Sequence, residues 1–176
     1  SPINYFPVYV YGMYLYDLFQ GSAANIAQNI HYIKILFVCF DFLPIVVLCC
    51  FRQKILSYRI PYLFLLLNIA YVFNSMVWGQ VDCIYTNLAF LAIVVGVRYP
   101  LPSVLLYILS IYTKPQAIEF LPVLIAVWYY SIRNVKTLLV TIISAGAFKL
   151  LLLLPFLHDG GLGRVIGFAR GSVGLY

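Results

Sequence analysis

From Tyr32 to Phe51 the chain runs for twenty residues with only Lys34, at its start, and Asp41, at its middle, carrying charge; Arg52-Gln53-Lys54 follows directly. Twenty residues of helix rise about 30 Å, the thickness of a bilayer's hydrocarbon core. An apolar run of that length, closed by cations, predicts a membrane span. The pattern recurs over 60–78, 81–97 and 137–157. Charged residues make up 9% of the chain, against roughly 25% in a soluble domain. With 64% of residues hydrophobic, there is too little polar surface for a soluble enzyme, a disordered tail or a nucleic-acid module. The excess of 11 Lys and Arg over 5 acids fits cytoplasmic membrane loops better than a nucleic-acid partner.

The stretch from Leu101 to Tyr130 is either one helix kinked at Pro115 or a hairpin hinged at Thr113-Lys114-Pro115-Gln116. Charge parity favours the hairpin. With spans at 101–113 and 116–130, Arg52, Lys54, Arg59, Arg98, Arg133 and Lys136 share one side, which the positive-inside rule makes cytoplasmic. Residues 158–176 then form an outer loop. The segment 5–19 carries Tyr5, Tyr9, Tyr11, Tyr14 and Tyr16. Tyrosine favours the headgroup level, so this segment reads as a helix lying on the outer face, joined to the first span by the small, polar stretch 21–31. The expected fold is all-α: a polytopic transmembrane bundle of about six helices or half-helices, in one domain.

The chain opens on Ser1 without a basic leader and closes on the Gly-rich stretch 160–176, and it is expected to be an internal piece of a larger polytopic protein. Cys39, Cys49, Cys50 and Cys83 lack metal spacing and read as buried thiols. The tail lacks the Gly-Lys-Ser/Thr ending of a phosphate loop.

In this topology the outer side collects Trp78, Gln80, Asp82, Lys114, Gln116, Glu119, His158, Asp159, Arg164 and Arg170. Two readings are open. These groups are ordinary interfacial anchors, or they line a cavity whose cations suit a phosphate or diphosphate headgroup. Asp41 and Lys149 lie inside their spans. Either they fix helix packing, or they mark a proton or ion path.

Three stretches together resemble the polytopic GT-C glycosyltransferases that use lipid-phosphate sugars, above all the N-glycan glucosyltransferases and bacterial mannosyltransferase-like relatives. Asn4-Tyr5-Phe6-Pro7-Val8-Tyr9-Val10-Tyr11 is similar to the family's Asp-Tyr-Pro-Pro-Leu-x-x-Tyr segment, with Asn4 and Phe6 as departures. Trp78-Gly79-Gln80-Val81-Asp82-Cys83-Ile84-Tyr85 resembles a bacterial Trp-Gly-Gln-x-Asp-Ser-x-Tyr signature, with Cys83 replacing Ser. Thr113-Lys114-Pro115-Gln116-Ala117, followed by Leu121-Pro122, resembles a Lys-x-Gln-Ala…Leu-Pro stretch. The resemblance implies inverting transfer of a hexose from a polyprenyl- or dolichyl-phosphate sugar to a lipid-linked glycan or protein acceptor at the outer membrane face. Its catalytic Asp is expected upstream of Ser1, leaving Asp82 as the alternative base within this chain. Lys114, then Arg170 and Arg164, would hold the lipid phosphate. Trp78, Gln80, Asp82, Gln116, Tyr5 and Tyr9 would line the sugar or acceptor pocket. No cofactor is assigned, and metal dependence stays open. The Trp-Gly-Gln-x-Asp form leans to a bacterial cell membrane over the endoplasmic reticulum. The rival reading is a transporter or lipid flippase core with Asp41 and Lys149 in its pathway.

Overall fold

The computed structural model describes residues 7–55 and 82–157. Tyr5, the expected span 60–78 with Trp78, Gln80, and the segment 158–176 with His158, Asp159, Arg164 and Arg170 lie outside the described residues. Within them the regular structure is entirely helical: α1 (Pro7–Gln20), α2 (Ala23–Asn29), a 3-10 turn (Ile30–Tyr32), α3 (Ile33–Ile55), α4 (Asp82–Gly96), α5 (Pro100–Thr113), a 3-10 segment (Pro115–Phe120), α6 (Leu121–Ser131) and α7 (Val135–Leu157).

Local chemistry sets these boundaries. Gly21 ends α1 with a φ of 69°, a left-handed conformation that a side chain would penalise. Ser22 then caps α2, its hydroxyl accepting from the Asn25 amide at 3.2 Å. The stretch 21–31, expected as a linker, is therefore largely helical, because a good N-cap stands directly behind the glycine. Tyr99 is held out of the helical region by Pro100, which supplies the first turn of α5. Lys114 is extended for the same reason, with Pro115 following it. The second arm, expected over 116–130, begins as the tighter 3-10 segment and becomes α-helical only at Leu121, where Pro122 fits the first turn.

α6 folds back along α5. Trp128 donates from Nε1 to Ser103 Oγ at 2.8 Å, and the Tyr107 hydroxyl donates to the Ala117 carbonyl at 3.3 Å. The Tyr107 and Trp128 rings meet edge to face at 5.7 Å. α4 is the central helix, burying Cys83, Ile84, Tyr85, Leu88, Ala89, Leu91, Ala92 and Val94. It lies antiparallel to α5, where Ser110 donates to the Tyr85 carbonyl at 2.7 Å and Ser103 to the Ala92 carbonyl at 2.6 Å. α3 runs in the same direction as α4: Ile33 and Phe40 pack on Cys83, Ile84 and Leu88, and Asn87 donates to Asp41 Oδ1 at 3.0 Å.

Tyr9 of α1 joins that same cluster. Tyr11 donates to the Leu152 carbonyl at 2.8 Å and meets the Phe156 ring at 5.6 Å. The start of α3, the start of α4, the end of α5 and the end of α7 consequently lie at one end of the molecule, with α1 across it. Burial raises the Tyr11 pKa above the ordinary tyrosine value.

Two helical stretches are long and apolar enough to cross a bilayer, Ala24–Val47 and Val135–Phe156; α4 and α5 are apolar but shorter. The second stretch is not a protein core helix, since only 6% of its most apolar window is buried. Leu138, Leu139, Ile142, Ile143, Leu150, Leu151 and Leu154 are all exposed on it.

Two stability predictions follow from this packing. A Cβ on Gly96 would stand 2.7 Å from Ser103 Oγ and 2.9 Å from Val127 Cγ1. Ser103 cannot swing aside without breaking its bonds to Ala92 and Trp128. Gly96→Ala should therefore destabilise by about 1–3 kcal/mol in a detergent unfolding assay, whereas Gly146→Ala, with nothing within 4 Å, should be neutral or stabilising. The second concerns Thr141, which is buried on α7 with its hydroxyl unbonded. Thr141→Val removes that unmet group and should raise stability by about 1 kcal/mol in the same assay.

Candidate functional site

The two serine bonds between α4 and α5 fix one antiparallel register. Tyr85 and Ala92 are seven residues apart, as are their partners Ser110 and Ser103. Three residues back from Tyr85 is Asp82, the first residue of α4; three on from Ser110 is Thr113, the last of α5. Lys114 is next, and its extended backbone sends the ammonium across to Asp82. Lys114 Nζ donates to Asp82 Oδ1 in an ion pair whose side chains remain 18% and 32% exposed respectively.

The helix ends reinforce the pair. The start of α4 carries partial positive charge, which favours Asp82, and the end of α5 carries partial negative charge, which favours Lys114. Lys114 Nζ also lies 5.6 Å from the centroid of the Tyr85 ring, a cation–π contact. Tyr85 is buried, held through its carbonyl by Ser110. Thr86 donates to the Asp82 carbonyl at 2.6 Å. Just past Lys114, the 3-10 segment presents Gln116 and Glu119, both exposed. An ion pair this open to its surroundings contributes on the order of 1 kcal/mol. A stronger anion can therefore draw Lys114 away from Asp82 at small cost.

Of the residues singled out from sequence, Asp82 and Lys114 are in contact and Gln116 and Glu119 flank them. Tyr9 packs beside Asp82's helix on the Cys83–Ile84–Leu88 cluster. Asp41 and Lys149 are not paired with each other. Asp41 meets Asn87, a fully buried amide on α4, while Lys149 is exposed on α7. The physical reason is register: α3 packs on α4, and no acid on α4 or α5 faces the Lys149 turn. Tyr85 and Asn87 were given no role from sequence. Tyr85 could have been found as the residue one turn after Asp82 on the same helical face, and Asn87 as the lone amide in an otherwise apolar helix. Cys83 is a buried free thiol, whereas Cys39 is exposed rather than buried, because it lies on a side of α3 that no described helix covers. Among the described residues, no three His, Cys, Asp or Glu side chains are grouped as metal ligands.

No family model, curated protein or solved structure matches the chain.

The strength of the Lys114–Asp82 contact can be measured by a double-mutant cycle. With Asp82→Asn, Lys114→Met and the double variant compared by detergent unfolding, the coupling should be about 0.5–1 kcal/mol. A coupling near zero would mean that the pair does not form in the folded protein.

Proposed function

We propose that this chain is part of a polytopic, GT-C-type membrane glycosyltransferase, and that the Asp82–Lys114 end of the helices holds the phosphate of a polyprenyl- or dolichyl-phosphate hexose. One observation carries this reading. The two stretches that resemble the family's Trp-Gly-Gln-x-Asp and Lys-x-Gln-Ala motifs lie 32 residues apart in sequence, yet Lys114 of one is paired with Asp82 of the other. The unburied apolar surface of α7 supports a bilayer around it, since a leucine- and isoleucine-rich face of that length needs an apolar cover. α4, α5 and α6, which are too short for a straight crossing, act in this reading as half-helices meeting at a cavity. The bacterial cell membrane is the proposed location.

Transfer breaks the bond between the anomeric carbon and the lipid-phosphate oxygen and forms a bond to an acceptor hydroxyl, with inversion. The acceptor's proton passes to a carboxylate, and the phosphate departs with the bond's electrons. Lys114 is a compact point charge suited to that phosphate, and its stabilisation grows as charge develops on the leaving oxygen. Asp82 holds the ammonium in place before the donor arrives, which makes it a positioning residue rather than the base. Gln116, on the open 3-10 segment, and Tyr9, on α1, are available to the sugar or the acceptor, a lipid-linked glycan or a protein. Tyr5, Trp78, Gln80, Arg164 and Arg170 complete the proposed pocket on the strength of the resemblance alone.

The test is hexose transfer from labelled polyprenyl-phosphate hexose in membranes that carry the protein. Lys114→Ala should lower kcat by about 100-fold or more at unchanged expression, with Lys114→Arg recovering part of the loss. Asp41→Asn should mainly reduce the amount of folded protein. If the wild type transfers no hexose, but moves lipid or solute across the bilayer and loses that flux in Asp41→Asn, the protein is a transporter and this reading fails.

A further inference from the structure

The opposite end of the molecule has a different chemistry. There the turn between α4 and α5 presents Arg98 and Tyr99, and the turn between α6 and α7 presents Arg133 and Lys136. All four are exposed. The last turns of α3 bring Arg52 and Lys54 to the same end. Arg52 stands eleven residues beyond Asp41, and Arg98 eleven beyond its partner Asn87, on helices that run the same way. The acids lie elsewhere: Asp17 sits on α1, Asp82 and Glu119 are at the far end, and Asp41 is midway along α3. Among the described residues, this end holds cations and no carboxylate.

Aromatic rings border the cations. Tyr129 and Tyr130 are each 79% exposed and meet edge to face at 5.5 Å. A tyrosine pair on the surface suits the level of lipid headgroups, where the ring is apolar and the hydroxyl wet. Directly beyond Lys136 along α7 come the exposed Leu138, Leu139, Ile142 and Ile143. From Lys136 to Phe156 the helix rises about 30 Å, the thickness of the hydrocarbon core. The cations therefore stand level with one headgroup layer when the apolar face of α7 is in lipid.

We infer that this end is a binding surface for anionic phospholipid headgroups. The guanidinium and ammonium groups of Arg98, Arg133 and Lys136 meet lipid phosphates, while Tyr129 and Tyr130 anchor the same collar at the interface. The inference rests on the bilayer reading above and is independent of sugar transfer. It implies that the lipids next to α6 and α7 in that leaflet are enriched in negative charge relative to the bulk.

Trp128 supplies the reporter, being half-exposed on α6 one turn before this end. In a Trp78→Phe background, its fluorescence is measured in nanodiscs of mixed phosphatidylcholine and phosphatidylglycerol of one fixed composition. Bromine is placed on the acyl chains of either the anionic lipid or an equal amount of the zwitterionic one. The brominated anionic lipid should quench at least about threefold more strongly. That preference should vanish in the Arg133→Gln/Lys136→Gln variant, and in the unsubstituted collar at about 1 M salt, where screening acts within about 3 Å. The salt arm decides the matter if the double variant does not fold. Equal quenching by both lipids at low salt overturns the inference and leaves the bilayer reading standing. Quenching by neither lipid overturns both.

Discussion

The close approach of α4 and α5 is the constraint from which the site follows. Two serines make it, Ser103 and Ser110, each small enough to bring the helices together and each donating to a carbonyl of the other helix. A hydroxyl in an apolar interior is costly unless bonded, and here the neighbouring backbone satisfies it. Because the bonds are seven residues apart on both helices, a slip of either helix would break both of them. Register is fixed along the length of the pair, and the residues at its open end have no freedom over whom they face. Asp82 meets Lys114 because the interior leaves no other pairing. Gly96 extends the same logic to the far end, where its missing side chain makes room for Ser103 and Val127.

This arrangement separates two kinds of polar residue. Ser103, Ser110, Tyr107 and Asn87 are buried, and each has its hydrogen-bond partner on another helix or segment. They hold the helices in place. Asp82 and Lys114 are partly open and satisfied by one another, with Gln116 and Glu119 exposed beside them. Only the second group can change partner without opening the packing. A ligand phosphate at that end would need to displace one partly exposed contact, not a buried network.

The sequence was legible where a residue acts through its own backbone. Pro115 forces the break at Lys114, Pro100 starts α5, and a twenty-residue apolar run reads as a long helix. It was less legible where the answer depends on which side of an apolar helix faces a neighbour. α3, α4 and α7 are apolar nearly all round, so no amphipathic stripe announces their packed face. Asp41 could be seen to need a partner, yet nothing in the spacing distinguished Asn87 from Lys149. Free cysteine is usually buried, yet Cys39 is exposed. Ser22 was overlooked for a different reason: a capping serine after Gly21 resembles a loop in composition and is recognised only with the Asn25 amide it accepts from.

The distribution of charge joins the two ends into one argument. An isolated cation at membrane depth is expensive, and the two ends of the described chain hold their cations differently. At the α4–α5 end, Lys114 is matched by Asp82 and lies over the Tyr85 ring, so its charge is held at a defined point. At the other end, Arg133 and Lys136 stand on an exposed turn beside exposed tyrosines, where under the bilayer reading headgroup and water would share them. The first arrangement would suit a single anion at a defined position; the second would suit a charged surface. Lysine suits the first because its ammonium can exchange one oxygen partner for another without the fixed two-point geometry of arginine. The second mixes Arg133 with Lys136, since there persistent charge matters more than exchange. Under the proposed bilayer reading, a paired lysine at one end and exposed cations at the other would distinguish the two faces of the molecule.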